Sequence, residues 1–357
     1  MTKTLIRWDD PHVECGAGAT EDELIHEVER QINTAQTAVW ECHRHAFSGT
    51  HVKTQGIVKG ELQVLDGLDS HLYQGLFKQA GAKFPVALRY STETTDLIDD
   101  RVPQPRGIGL KVFGAKGPKL RKDMKDPETQ DFEFNSCAFL ELGNARTCRD
   151  IIALRLLHGA DSAGLDADLR KREDYKVQNA RNVAPNVHLA AQRQYSQAAI
   201  RYGDNVVKYR LLPTSDAQKA LADKTVGEND HGTTVLKDWL QEYFRANAAT
   251  YDFQVQFLED LDEQPIEDVR VEWDQQKYPF VTVAKITLPP QESFAPKRVS
   301  FWEDHNRLDV WHGLVEHKPL GSINRLRKGV YKASAAFRRR MNGREEVVVD
   351  DISQIPD

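Results

Sequence analysis

Apolar positions recur every three or four residues from Ile25 through Val28, Ile32, Ala35 and Val39. That spacing puts them on one face of a helix, and Thr20 with Glu23 reads as a capping box at its start. From residue 54 the period changes to two in TQGIVKGELQVL. Strand-like runs follow at 85–91, 107–113, 131–141, 205–212, 251–258, 267–273 and 279–288. In the fifth of them Tyr251, Phe253, Val255 and Phe257 share a face, and further on Phe280, Ala284, Ile286 and Leu288 do the same. Period-two runs at this density predict one large antiparallel sheet, curled or closed. Helical patterns interrupt the strands at 145–158, at 234–246, where Leu236, Trp239, Leu240 and Tyr243 form a stripe, and from Ser322 to Met341. Residues 114–130 read as a charged, Gly- and Pro-containing loop. The pattern is α+β. No repeat, linker or composition break divides it, so we expect a single domain over 1–357, with an N-terminal arm (1–19) and a C-terminal tail (342–357).

The chain has 357 residues, with 48 Lys and Arg against 54 Asp and Glu, a net charge of −6. A mildly acidic, mixed-charge surface argues against nucleic acid as a general partner and against binding to membrane surfaces. Apolar residues make up 40%, enough for a sizeable core. No apolar run approaches the ~18–20 residues that span a bilayer, and the N-terminus lacks a signal-peptide core. The expectation is a soluble, cytoplasmic protein without stable membrane anchoring. Cys15, Cys42, Cys137 and Cys148 are scattered and form neither CxxC nor CxxCH, which fits reduced thiols and gives no sign of covalent haem attachment.

Four constellations could carry chemistry. Cys42, His43, His45 and His51 form the densest donor cluster, but their spacing matches no common zinc pattern. His51 stands apart from them, opening the first strand, where a barrel strand would turn it to the interior. Arg89 and Ser91 are two apart in a strand and share a face, which is odd for a dry core. Asn135 interrupts an apolar strand, where a bulge or a satisfied buried amide is the plain reading. Arg327, Tyr331 and Arg338 share one face of the last helix, and two guanidiniums beside a phenol favour the phenolate.

Together these pieces resemble the catalase superfamily of haem proteins. GTHVKTQG, FPVALRYST, PRGIGLKVF, DFEFNSCAF and RLRKGVY followed by Arg338 occur in the family's order, over roughly 45–140 and 319–340. The resemblance implies a closed antiparallel β-barrel of about eight strands with surrounding helices, binding haem b. It implies His51 as the distal base, Asn135 as the amide that holds the peroxide, and Ser91 as the residue orienting His51. It makes Tyr331 the iron ligand and Arg327 its charge partner, with Arg89 and Arg338 on the haem propionates. A tyrosinate ligand suits ferric haem. The implied substrate is a small peroxide.

The departures bear on which reaction. Ser48 stands three residues before His51, where the family usually has arginine. Thr50 stands where catalases carry valine and resembles the coral allene oxide synthase branch; its hydroxyl could hydrogen-bond His51 and weaken it as a base. Leu140 replaces a phenylalanine over the haem. The chain ends 19 residues after Arg338, without the family's C-terminal helical domain, and so resembles the minimal catalase-related proteins. That size suggests a monomer or homodimer. The readings left open are a peroxidase or weak catalase, a fatty-acid hydroperoxide isomerase, and a non-enzymatic haem binder. The electron donor and any nicotinamide site stay unassigned.

Overall fold

The computed structural model describes residues 4–16, 18–121 and 128–357, so residues 122–127 of the expected 114–130 loop and residues 1–3 and 17 of the expected arm lie outside it. A long helix, α1 (Ala19–His43), leads into β1 (Lys53–Val64), β2 (Lys83–Thr92), β3 (Arg106–Phe113) and β4 (Thr129–Asn135). The helices α2 (Ala145–His158), α3 (Ser162–Leu169) and α4 (Tyr175–Asn179) follow. Then come β5 (Gln194–Tyr195), β6 (Ile200–Tyr202) and β7 (Asn205–Pro213). The chain continues through α5 (Asp216–Lys219), α6 (Val235–Ala246), β8 (Ala249–Phe257), β9 (Val281–Leu288), α7 (Pro296–His305) and α8 (Ser322–Asn342).

The strand order is β5-β4-β3-β2-β1-β9-β8-β7, and a β5–β7 pairing closes the ring into an eight-stranded antiparallel barrel, with β6 as an extra strand on β7. Closure leaves the sheet with almost no free edge. One alternating set of side chains fills the interior: Leu88 and Tyr90 from β2, Ile108 and Leu110 from β3, Phe132 and Phe134 from β4. Aromatic rings meet there, Phe132 lying 5.1 Å and Phe77 5.0 Å from Phe253 between centroids. The other set on β2–β4 faces outward, under α1 and α8.

Several expectations need correction. Helix α1 starts at Ala19 on Gly18 with no side-chain cap, so the Thr20–Glu23 capping box does not form. The run 131–141 stops being strand at Asn135, because the Asn135 Oδ1 accepts the Cys137 backbone N–H and turns the chain. The run 267–273 is loop, not strand: Asp268 accepts the Arg270 N–H in another such turn, and the alternating Val269 and Trp273 are buried in satellite clusters. β5 and β6 are too short to leave a period in the sequence. His51 precedes β1 rather than opening it, with a left-handed backbone (φ 54°), and belongs to the outer wall of the barrel.

Candidate functional site

Two cross-strand rows build the wall of the site. In register, Ser91 faces Gly107 and Gly107 faces Asn135; one row along, Arg89 faces Gly109 and Gly109 faces Glu133. Directly opposed residues share a face, so Arg89, Ser91, Glu133 and Asn135 all project outward, away from the interior aromatics. The two glycines leave the middle of the wall bare. Onto it fold His51 from the turn before β1 and Leu308 from the segment after α7: a Cβ at Gly107 would lie 2.5 Å from the His51 ring, and one at Gly109 2.4 Å from Leu308. Opposite stands α8, whose Leu326, Arg327, Val330, Tyr331 and Arg338 close a cavity of about 1400 Å³ with its open mouth included. Val28 and Ile32 of α1 complete its apolar side.

His51 Nδ1 lies 3.0 Å from Ser91 Oγ, and Ser91 in turn donates its own hydrogen to the Gly107 carbonyl at 3.3 Å. Ser91 can therefore only accept from His51, so Nδ1 carries the proton and Nε2 keeps its lone pair for the cavity. Burial, helped by the charges of Arg89, Arg327 and Arg181, pushes the imidazole down to about 3. It is neutral throughout the physiological range. Thr50 lines the cavity, but among the described residues no hydrogen bond joins its hydroxyl to His51; the orienting partner is Ser91.

Asn135 is held at both ends. Its carbonyl accepts from Cys137, and its Nδ2 donates to Glu93 Oε2 at 2.5 Å. Glu93, two residues beyond Ser91, is a buried cavity-lining carboxyl that the sequence reading missed.

Tyr331 reaches the cavity from α8 and donates its phenolic hydrogen to Glu133 Oε2 at 2.5 Å. The phenol therefore faces a carboxyl as well as Arg327. Burial raises the Tyr331 pKa well above its ordinary value, Glu133 raises it further, and Arg327 opposes them without prevailing. Burial also pushes Glu133 up to about 7, against the pull of Arg327. Glu133 was missed although it alternates with Phe132 and Phe134 and stands two before Asn135.

The remaining arginines differ from each other. Arg89 is already committed: Nε donates to Thr54 Oγ1 and Nη2 to the His51 carbonyl, both at 2.8 Å, and Glu303 pairs with it at 3.2 Å. An incoming carboxylate would share this guanidinium with Glu303, and Arg89 lines the cavity. Arg338 donates to the Asn306 carbonyl at 2.8 Å and to Ser48 Oγ at 3.3 Å, while its buried Nε has no partner among the described residues. Both polar atoms of the Asn306 amide, on the same cavity, are also buried without a partner. Leu140 lies in the lining, as its position in the sequence implied.

The Cys42 cluster disperses. His43 binds Asp96, His45 binds Asp304, and Cys42 is exposed. Among the described residues no three His, Cys, Asp or Glu side chains converge in a way that would hold a metal. A haem asks for something else: an apolar slot, one axial donor and polar partners for two carboxylates. Val28, Ile32, Leu326 and Val330 supply the slot, Tyr331 the donor, and the unpartnered Arg338 Nε and Asn306 amide the polar partners. These residues fit the group, on the condition that Glu133 swings off the phenol oxygen.

No protein-family model matches the chain, and no curated protein matches it. Solved structures do. A fungal catalase superposes with a TM-score of 0.62 at 16% identity, covering 85% of this chain and 61% of its own. A bacterial catalase gives 0.62 at 17% identity, covering 95% and 63%. Catalase A from Saccharomyces cerevisiae gives 0.59 at 14%, covering 94% and 67%. The fold is therefore catalase-like, and the chain spans about three fifths of the length of the first two. No helix of the described residues is long and apolar enough to cross a membrane.

Proposed function

We propose that this chain is a haem-dependent, catalase-like enzyme acting on peroxides. One observation carries the reading: a single cavity gathers His51, Ser91 and Asn135 from the barrel wall and Arg327, Tyr331 and Arg338 from a helix some 200 residues further along the chain. Tyr331 would hold the haem iron, with Arg327 stabilising the oxygen once its proton has gone, and Arg338 with Asn306 would hold a propionate. Haem bound there would supply the redox chemistry of O–O cleavage.

The protein's own part is proton handling. Neutral His51 presents Nε2 to the cavity and accepts the proton of a peroxide O–H. Ser91 fixes the tautomer that makes this possible. Asn135 keeps one N–H for a peroxide oxygen. The apolar wall excludes water, which strengthens each of these polar contacts. Among the described residues His51 has Ser91 and not Thr50 as its side-chain hydrogen-bond partner, which leaves it a competent base and favours general peroxide reduction over the isomerase alternative.

The test is to purify the protein with haem supplied, record its absorption spectrum, and add hydrogen peroxide and then a fatty-acid hydroperoxide. A ferric tyrosinate spectrum, lost in Tyr331→Phe, with consumption of either peroxide is the expected result. Loss of the organic hydroperoxide alone, with a rearranged product, makes the protein an isomerase. A stable spectrum with no turnover makes it a haem binder, and no Soret band from the wild type overturns the haem assignment.

A further inference from the structure

Glu93 has no place in the proton handling just described, yet it is the group that touches Asn135. Its backbone continues β2, with its N–H on the Pro105 carbonyl at 3.0 Å, so the side chain leaves the wall on the same face as Ser91. One oxygen, Oε2, accepts from Asn135. The other faces Arg181 at 3.8 Å. Behind it two carboxylates share two guanidiniums: Arg181 and Arg155 hold Glu141 at 2.9 and 2.8 Å. Glu141 therefore takes the close contacts, and Glu93 is left with the weaker one. The carboxyl nearest the cavity is the less neutralised of the two. Burial and the neighbouring charge of Glu141 raise the Glu93 pKa above its ordinary value, which opposes ionisation and is why the test of its charge is run at pH 8.

The geometry also fixes the amide. Asn135 Oδ1 is taken by the Cys137 N–H and one Nδ2 hydrogen by Glu93, so the second Nδ2 hydrogen is the one left for a ligand. A flipped amide would set Oδ1 against the Glu93 carboxylate and Nδ2 against the Cys137 N–H, two repulsive contacts in place of two bonds.

We propose that Glu93 is a positioning residue for Asn135 and sets the charge preference of this part of the cavity: it turns a single amide N–H toward the ligand and selects uncharged ligands over anions. The inference rests on the haem reading for its second half only. It narrows the substrate class to peroxides that present a neutral O–H at the site.

The experiment has two arms. In haem-loaded protein at pH 8, the affinities of fluoride, an anion, and nitric oxide, an uncharged ligand, are read from Soret shifts. Glu93→Gln keeps an acceptor for Asn135 and removes the charge, so it should tighten fluoride by about tenfold or more and leave nitric oxide within about threefold. In haem-free protein, the side-chain NH2 resonances of Asn135, assigned by their loss in Asn135→Asp, should keep a strongly inequivalent, slowly exchanging proton in the wild type and in Glu93→Gln. They should lose it in Glu93→Leu. Unchanged fluoride affinity in a Glu93→Gln protein with an intact Soret band overturns the selectivity, and an unmoved Asn135 resonance in Glu93→Leu overturns the positioning. A wild type without a Soret band overturns the haem reading and the selectivity with it, and the resonance arm still decides the positioning.

Discussion

Gly107→Ala is the sharpest perturbation the site offers, because it adds one methyl group where the wall is bare. Gly107 is not in the left-handed region, so the change tests space and not backbone conformation. The new Cβ would stand 2.5 Å from His51 Cε1, 2.8 Å from Nδ1 and 2.9 Å from the Phe134 carbonyl. That carbonyl is backbone of β4, paired in the β3–β4 register, and can give only slightly. The imidazole must move further, and ordinary carbon contacts of about 3.5–4.0 Å require a shift of roughly 1 Å. Nδ1 now lies 3.0 Å from Ser91, so such a shift takes it past hydrogen-bonding range. The tautomer is then no longer fixed. A misplacement of this size costs on the order of 100-fold in rate, while overpacking costs about 1–3 kcal/mol of stability. Gly109→Ala is the internal control: the tight contact of its Cβ is with a terminal methyl of the Leu308 side chain, which can rotate away. We expect haem-loaded Gly107→Ala to keep its Soret band and lose about 100-fold in kcat/KM for peroxide, with Gly109→Ala within about threefold of the wild type. Equal activity of the Gly107→Ala and wild-type proteins would refute the argument that the bare wall positions His51.

Three further outcomes follow from the same geometry. Ser91→Ala removes the acceptor that holds Nδ1–H and should lower kcat/KM about tenfold or more with little change in KM; a pure KM effect would show that Ser91 contacts substrate instead. His51 binds a proton in the unfolded chain below about pH 6.5 but in the folded protein only near 3, so stability is lost as pH falls between those values, by up to about 1.4 kcal/mol per unit. An NMR titration should find the imidazole neutral at pH 5, and His51→Asn should unfold less steeply in acid; a His51 titrating near 6.5 contradicts both. Glu133→Ala frees the Tyr331 oxygen from its hydrogen bond and should raise haem affinity several-fold in a titration followed at the Soret band, whereas weaker binding would mean that the carboxyl helps to hold the group.

The barrel was legible because its strands are half-buried, and a half-buried strand writes its burial as a period of two. The same rule explains the false strand at 267–273, where a loop crossing the outside of the barrel buries Val269 and Trp273 and imitates the period. The polar wall was partly legible as well. Ser91 and Asn135 stood out as polar residues in largely apolar strands, Tyr331 and Arg338 as one face of the last helix, and all of them line the cavity. What sequence spacing could not give was pairing across strands. It took the register to show that Arg89 and Glu133 share one row and Ser91 and Asn135 the next, with a glycine at the centre of each.

The partners chosen by the arginines were hidden for a related reason. A guanidinium two residues from a serine looks free for a ligand until the fold brings in a carboxylate from 214 positions away, as Glu303 reaches Arg89. Carboxylates were the residues least visible beforehand, since an acidic side chain at an alternating position reads as solvent-facing. Here the outward face of the strands is itself covered by α1 and α8, so Glu93 ends up buried and Glu133 half-buried. Each then binds one of the two groups that matter most: Glu93 the amide above the cavity wall, Glu133 the phenol opposite. The arrangement couples the two sides of the cavity through neighbouring positions of one strand, because Glu133 and Asn135 are two residues apart on β4. A change in how Glu133 sits against Tyr331 therefore bears on the strand that carries Asn135. In Glu133→Ala the Asn135 side-chain resonances should shift along with the gain in haem affinity, and Asn135 resonances identical to the wild type would show the two halves of the site to be independent.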